Sequence, residues 1–239
     1  MRAEPDPWLE SVFGHEVFRV TGCGPFGDPG GIPAPAAGKQ SFSYAKVPVD
    51  DPDLLHALLE KGFRIVDVNV VLERAPERDG TWSTGRYVLR EAFPGESMQV
   101  QEIAGTCFTH SRFHQDPRIP SEMANLIKRK WVENYFRGTH GEKIIVAAID
   151  GSPIGFLAIA KVPEGGRTVR VIDLIGIHPG FQGTGAGRQL VRYFIDDSVG
   201  QCELLRVGTQ LVNLPSLRLY EKAGFIIAGA SYVLHAHLP

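Results

Sequence analysis

Long apolar runs are missing from this 239-residue chain, and no window approaches the roughly 20 apolar residues of a membrane-spanning helix. A membrane protein is not expected. Excess positive charge is missing as well: 25 Lys and Arg stand against 27 Asp and Glu, a formal charge of -2, so no basic field gathers a nucleic-acid backbone or an anionic membrane. Cysteine is scarce. Cys23, Cys107 and Cys202 are odd in number, far apart and without metal-ligand spacing, which argues against a disulfide scaffold or a cysteine metal site and suits a reducing cytoplasm. The start, Met1 to Pro7, is polar and Pro-bearing, and the expectation is a soluble, unprocessed, cytoplasmic protein without a metal.

What is present is alternation of strands and helices, an α/β pattern. Strands are expected at His15 to Val20, Ser41 to Val47 and Phe63 to Leu72, with a Gly/Pro/Ala-rich loop from Thr21 to Gly38. Asp51-Pro52 opens a helix that Gly62 closes. The polar stretch Glu73 to Gly85 is the expected boundary between residues 1–80 and 81–239. Beyond it come a strand at Arg86 to Ala92, helices at about Glu96 to Phe108 and Ser121 to Phe136, and a hairpin from Lys143 to Val162 turning at Asp150-Gly151. A strand from Thr168 to Ile177 then leads into a helix from about Gly187 to Asp196. The chain ends in a strand near Leu204 to Thr209, a helix from Leu214 to Ala223, and two short strands at Phe225 to Ala228 and Ser231 to Ala236. Tyr44 to Leu72 echoes Leu205 to Leu234, each reading strand, Pro-started helix, Glu-Lys, Gly-Phe, strand.

The segment from Ile175 to Arg188 joins a strand to an amphipathic helix and carries four glycines within Gly180 to Gly187. Such a junction presents unpaired N–H groups at the positive end of a helix dipole, which suits a phosphate. A dinucleotide fingerprint starting at Gly183 would need glycine where Arg188 stands, and a P-loop would need Gly-Lys-Ser/Thr; neither is present. Downstream, Asn213 and Tyr220 are seven residues apart, two turns along one helix face.

The spacing Gln182, Gly185, Gly187, preceded by Ile177-His178-Pro179, resembles the pyrophosphate motif of the GCN5-related N-acetyltransferase superfamily. That resemblance implies an acyl-CoA N-acyltransferase fold, a mixed, mostly antiparallel central sheet with flanking helices, and acetyl-CoA as co-substrate. It implies cofactor contacts from Gln182, Gly183, Thr184, Gly185, Ala186 and Gly187, from the strand end Ile175, Gly176 and Ile177, and from Asn213 and Tyr220. Tyr220 would protonate the departing thiolate, which the gap between a thiol pKa near ~8.5 and a phenol near ~10 allows as leaving-group charge builds. Asp173 is the only acid in its strand and is the candidate base; His178 and His114 are further candidates.

Over nearly the whole length the chain is also similar to the TDP-fucosamine acetyltransferases of surface-polysaccharide biosynthesis. The matching residues are Trp8 to Gly14, Leu58 to Phe63, Ser111-Arg112-Phe113, Trp131 to Gly138 and Arg206 to Gln210. This resemblance implies a smaller, incomplete α/β half-domain before the acyltransferase domain, a nucleotide-linked aminosugar as small-molecule acceptor, and a homodimer. Ser111, Arg112, Phe113 and Asn134 are the candidate acceptor residues, Arg112 offering charge and Phe113 a stacking face. The triplet Lys128-Arg129-Lys130 reads as a solvated helix face. A protein or peptide amine, an aminoglycoside, or a non-catalytic CoA-binding role stay open as alternatives.

Overall fold

The computed structural model describes residues 1–22, 40–78 and 85–238. The chain begins with β1 (Arg2–Pro5), α1 (Pro7–Phe13), β2 (Glu16–Thr21), β3 (Ser41–Pro48), α2 (Pro52–Glu60) and β4 (Arg64–Arg74). It continues through β5 (Val88–Glu91), α3 (Ser97–Cys107), α4 (Arg112–Gln115), α5 (Ser121–Phe136), β6 (Lys143–Ile149), β7 (Ser152–Glu164) and β8 (Arg167–Ile177). Last come α6 (Ala186–Ser198), β9 (Leu204–Gln210), α7 (Leu214–Lys222) and β10 (Ile226–Leu238). Cys23 and most of the Thr21 to Gly38 segment lie outside the described residues, as does part of the Glu73 to Gly85 stretch.

Local signals set several of these elements. Asp51 and Asn213 each accept a hydrogen bond from the amide three residues on and cap α2 and α7, with Pro in the first turn of both. Gly62 and Gly224 follow those helices at φ 85 and 80°, where a Cβ would be strained. The β6–β7 hairpin turns at Asp150 and Gly151, both at positive φ. The two final strands expected from sequence are one strand, β10, which absorbs the Ala228-Gly229 region as a register shift against β4 instead of breaking there. The strand β1 and helices α1 and α4 are additional to those expected.

The ten strands of the described residues form one sheet in the order β1-β2-β3-β10-β4-β9-β8-β7-β6-β5. It is mixed and mostly antiparallel, with parallel pairing only at β2–β3 and β8–β9. The units β3-α2-β4 and β9-α7-β10 interleave, so that β10 lies between β3 and β4, and β4 between β10 and β9. The segment before residue 80 therefore supplies a strand to the middle of the sheet.

Apolar faces settle the layers. Leu190, Val191, Phe194 and Ile195 of α6 pack with Leu217 and Tyr220 of α7 on one face. On the other, Val100, Ile103 and Ala104 of α3 and Val132 and Tyr135 of α5 cover Ile144, Val146, Phe156 and Leu174. Gly176 must be glycine for this packing, because a Cβ would fall 2.5 Å from Cys107 Sγ and 2.8 Å from the Phe156 ring. Arg170, 0 % exposed, ties β8 to both Glu142 (3.0 Å) and Asp197 (2.8 Å) of its surroundings. Among the described residues no helix is long and apolar enough to cross a membrane.

Candidate active site

Strand β8 carries an extra residue. Its ladder to β7 steps from Ile172↔Ile159 to Leu174↔Ala158, leaving Asp173 unpaired in a bulge. Bulges bend a strand and re-aim its side chains. The parallel ladder to β9 ends at the same place, at Ile172↔Val207, so β8 beyond Asp173 presents a free edge toward β9. An extended ligand can add to such an edge by main-chain hydrogen bonds. Ile175, Gly176 and Ile177 lie along it.

At the end of β8 the chain makes a short turn in which Gly180 N–H donates to His178 Nδ1 (3.2 Å) and Gln182 Nε2 donates to the Ile177 carbonyl (3.2 Å). Gly183 and Gly185 hold φ 74 and 91°. Gly185 is the N-cap of α6 and, having no side chain, leaves the first-turn amides of Ala186, Gly187 and Arg188 uncapped. The loop from Gln182 to Thr184 is exposed, and the buried Tyr87 steadies it by donating to the Thr184 carbonyl (3.4 Å). These residues fit a phosphate-bearing group at a helix start.

The free edge borders a cavity of about 340 Å³. Tyr220, Asn213, Asp173, Ser111, Arg112 and Phe113 all line it, whereas Asn134 and His114 do not. Tyr220 is 2 % exposed, its ring edge-on to Phe225, and burial pushes its phenol up, so it stays protonated at neutral pH. Asn213 lines the cavity while its Oδ1 is committed to the α7 cap. Both His114 nitrogens are engaged, one with Ser111 Oγ (2.6 Å) and one with Asn125 Oδ1 (2.9 Å).

Asp173 Oδ2 accepts from Trp131 Nε1 (2.8 Å), Tyr135 OH (2.8 Å) and His140 Nε2 (3.0 Å). Burial acts to raise this carboxyl, but the three donors outweigh it and hold it below its ordinary value. The His140 imidazole is raised in turn, chiefly by the same hydrogen bond.

Sequence reading missed much of the cavity's charge. Alternation along β3 places Lys46 on the same face as Phe42 and Tyr44, and β4 contributes Asp67 and Asn69. Among the described residues Lys46 donates only to Asn69 Oδ1, at 3.5 Å. Lys128 is not solvated: it is 7 % exposed, lies over the Phe108 and Trp131 rings at 4.9 and 5.0 Å, and burial lowers its ammonium to about 8. The Arg112 guanidinium is clasped between Tyr44 (4.0 Å) and Phe113 (4.4 Å), and its Nη1 is buried with no partner among the described residues. Tyr44 in turn donates to Asp6 (2.7 Å), whose other oxygen caps α1. Among the described residues none of Lys46, Arg112 and Lys128 has a carboxylate within ion-pair distance; Lys46 is exposed, whereas Lys128 is buried, and a buried, unpaired cation is costly until an anion joins it. The local sequence around Lys46 and Asp67 holds no motif; their meeting depends on the interleaving of β3, β10 and β4.

A mixed sheet opened between two parallel strands, beside an uncapped glycine-turned helix start and above a buried cavity, defines the class of molecule. The chain belongs to the acetyltransferase (GNAT) family, whose model matches residues 98–225, just over half of it. It is 26 % identical over 236 residues to the dTDP-fucosamine acetyltransferase of Escherichia coli O6:H1, covering 97 % of this chain and 96 % of that one. It is 28 % identical over 196 residues to the spore coat polysaccharide biosynthesis protein SpsD of Bacillus subtilis, covering 81 % of this chain and 66 % of that relative. A GCN5-related N-acetyltransferase structure from Sphaerobacter thermophilus shares the fold, with a TM-score of 0.56 and 14 % identity over 83 % of this chain and 60 % of that one.

Proposed function

We propose that the protein transfers an acetyl group from acetyl-CoA to the amine of a nucleotide-linked aminosugar by direct attack in a ternary complex. The observation that carries this reading is the single cavity in which Tyr220 and the free edge of β8 meet the unpaired cations Lys46, Arg112 and Lys128. The first two serve a thioester and its leaving thiolate. The cations serve an acceptor bearing phosphate, and the near full-length similarity to a dTDP-fucosamine acetyltransferase supports the same acceptor class. In this reading the amides of Ala186, Gly187 and Arg188 hold the cofactor pyrophosphate, a β8 amide polarises the acetyl carbonyl, and Tyr220 protonates the thiolate. Asp173, saturated on Oδ2, is a fixed negative charge that orients Trp131, Tyr135 and His140 along the acceptor side.

Purified protein with acetyl-CoA should release free thiol on addition of a nucleotide-linked aminosugar, and not with peptides or aminoglycosides. Release with the latter amines alone, or with none, overturns the reading.

A further inference from the structure

The same cavity contains a second carboxylate. Asp67, on β4, is 7 % exposed, and its Oδ2 is shut off from solvent with no hydrogen-bond partner among the described residues. It contrasts with Asp173, whose Oδ2 takes three hydrogen bonds. A buried acceptor without a donor is costly unless a ligand supplies one. Arg112, whose Nη1 is likewise buried without a partner among the described residues, lines the same chamber. One unmet acceptor and one unmet donor describe an acceptor molecule with an N–H to give and an anionic group to place.

We propose that Asp67 is the base that receives the proton of the attacking amine. This deepens the acetyl-transfer reading and rests on it. In the step, the amine nitrogen forms a bond to the acetyl carbon, the carbon–sulfur bond breaks, the amine proton passes to the Asp67 carboxylate, and the thiolate takes the proton of Tyr220. Proton exchange with solvent then returns the proton from Asp67 to Tyr220, so the enzyme is restored and no further reactant is required.

The surroundings suit the role. Burial raises the Asp67 carboxyl from 3.8 to about 6, while the Val68 amide, Lys46, Arg112 and the Gln210 side chain pull it down. A base near 6 is ionised at neutral pH yet far more proton-avid than an ordinary carboxylate. The charged or titratable groups that share the cavity are Lys46 on β3, Arg112 on α4, Lys128 on α5, Asp173 on β8, Arg206 on β9 and Tyr220 on α7; β10 contributes Val233. Arg206 is engaged with Glu73 (2.6 Å) and Glu164, which leaves Lys46 and Arg112 as the cations that favour ionised Asp67 before the amine arrives.

The test compares wild-type protein with Asp67→Asn and Asp67→Glu in thiol release with a nucleotide-linked aminosugar and with the peptide and aminoglycoside amines. Profiles of kcat/KM from pH 5 to 9 and calorimetric acetyl-CoA affinity are recorded alongside. The expected result is a loss of about 100-fold or more in kcat for Asp67→Asn, acetyl-CoA affinity within twofold, and disappearance of the limb near pH 6 seen in the wild type. Asp67→Glu, which keeps a carboxylate, should recover about tenfold or more over Asp67→Asn and retain an acidic limb. Wild-type release accompanied by equal release from Asp67→Asn, or by an unchanged acidic limb in that variant, overturns Asp67 as base and leaves acetyl transfer standing. No release by the wild type with any amine defeats acetyl transfer and the base together.

Discussion

Replacing Tyr220 by Phe removes one oxygen from a ring that is otherwise core. The side chain is 2 % exposed and packs with Phe225 and Leu217, so the ring's packing survives the change and stability should move little. What disappears is the proton for the leaving thiolate. Tyr220→Phe should lower kcat by roughly 100-fold or more, in the usual range for loss of a general acid, with acetyl-CoA affinity and melting temperature close to wild type. Steady-state thiol release beside calorimetry reads both quantities, and full turnover in the variant would remove Tyr220 from the chemistry. Arg112 shows the opposite dependence: its position between Tyr44 of β3 and Phe113 of its own α4 comes from two elements far apart in sequence, so no property of the triplet Ser111-Arg112-Phe113 reveals that its Nη1 is buried.

At the scale of elements, the start of α6 depends on two left-handed glycines. Gly185 has room for a side chain, the nearest atom to an added Cβ being Arg188 Nη2 at 3.9 Å, so its requirement is the φ of 91° and not crowding. A β-branched residue cannot hold that φ without strain of roughly 1–3 kcal/mol, and relaxing it turns the first amides of α6 away. Gly185→Val is therefore expected to weaken acetyl-CoA binding about tenfold or more while acceptor affinity is preserved; undiminished cofactor binding by calorimetry would defeat the loop assignment. This element was legible in sequence because its signal is local: glycine spacing, a strand before it, an amphipathic run after it. The caps Asp51 and Asn213 and the Asp150-Gly151 turn were legible for the same reason. β1 and α4, at four residues each, and α1, at seven, are too short to display a period. Gly229 looks like punctuation between two strands, whereas pairing of Gly229 and Ala230 with Val71 and Val70 of β4 carries β10 through it until the ladder to β3 begins at Ser231. The bulge at Asp173, and the cluster of Lys46, Asp67 and Lys128, arise from tertiary pairing that no single segment encodes.

For the whole molecule, the cavity's unmet charges carry a stability cost with a defined pH signature. Asp67 has a folded pKa near 6 against 3.8 for the free side chain, so the folded state binds its proton more tightly than the unfolded one. Its contribution to stability is fully present below about pH 3.8 and is lost as pH rises through 6. A shift of two units corresponds to at most about 3 kcal/mol. His235 acts in the opposite direction: burial lowers its imidazole to about 4, so folding loses stability as pH falls from about 6.5 toward 4. Asp116, which accepts from His235 (2.7 Å) and His237 (2.8 Å), adds to that acid loss, because these bonds outweigh burial and hold its carboxyl well below the ordinary range. Asp67→Asn leaves those two residues in place, so subtracting the two stability curves isolates Asp67. Urea unfolding at pH 4, 5, 6 and 7.5 should give a difference that grows with pH, the variant gaining roughly 1–3 kcal/mol on wild type between the lowest and highest values. A difference independent of pH would mean that Asp67 ionises normally in the folded protein, and that the enclosed carboxylate on β4 is not held in readiness for a proton.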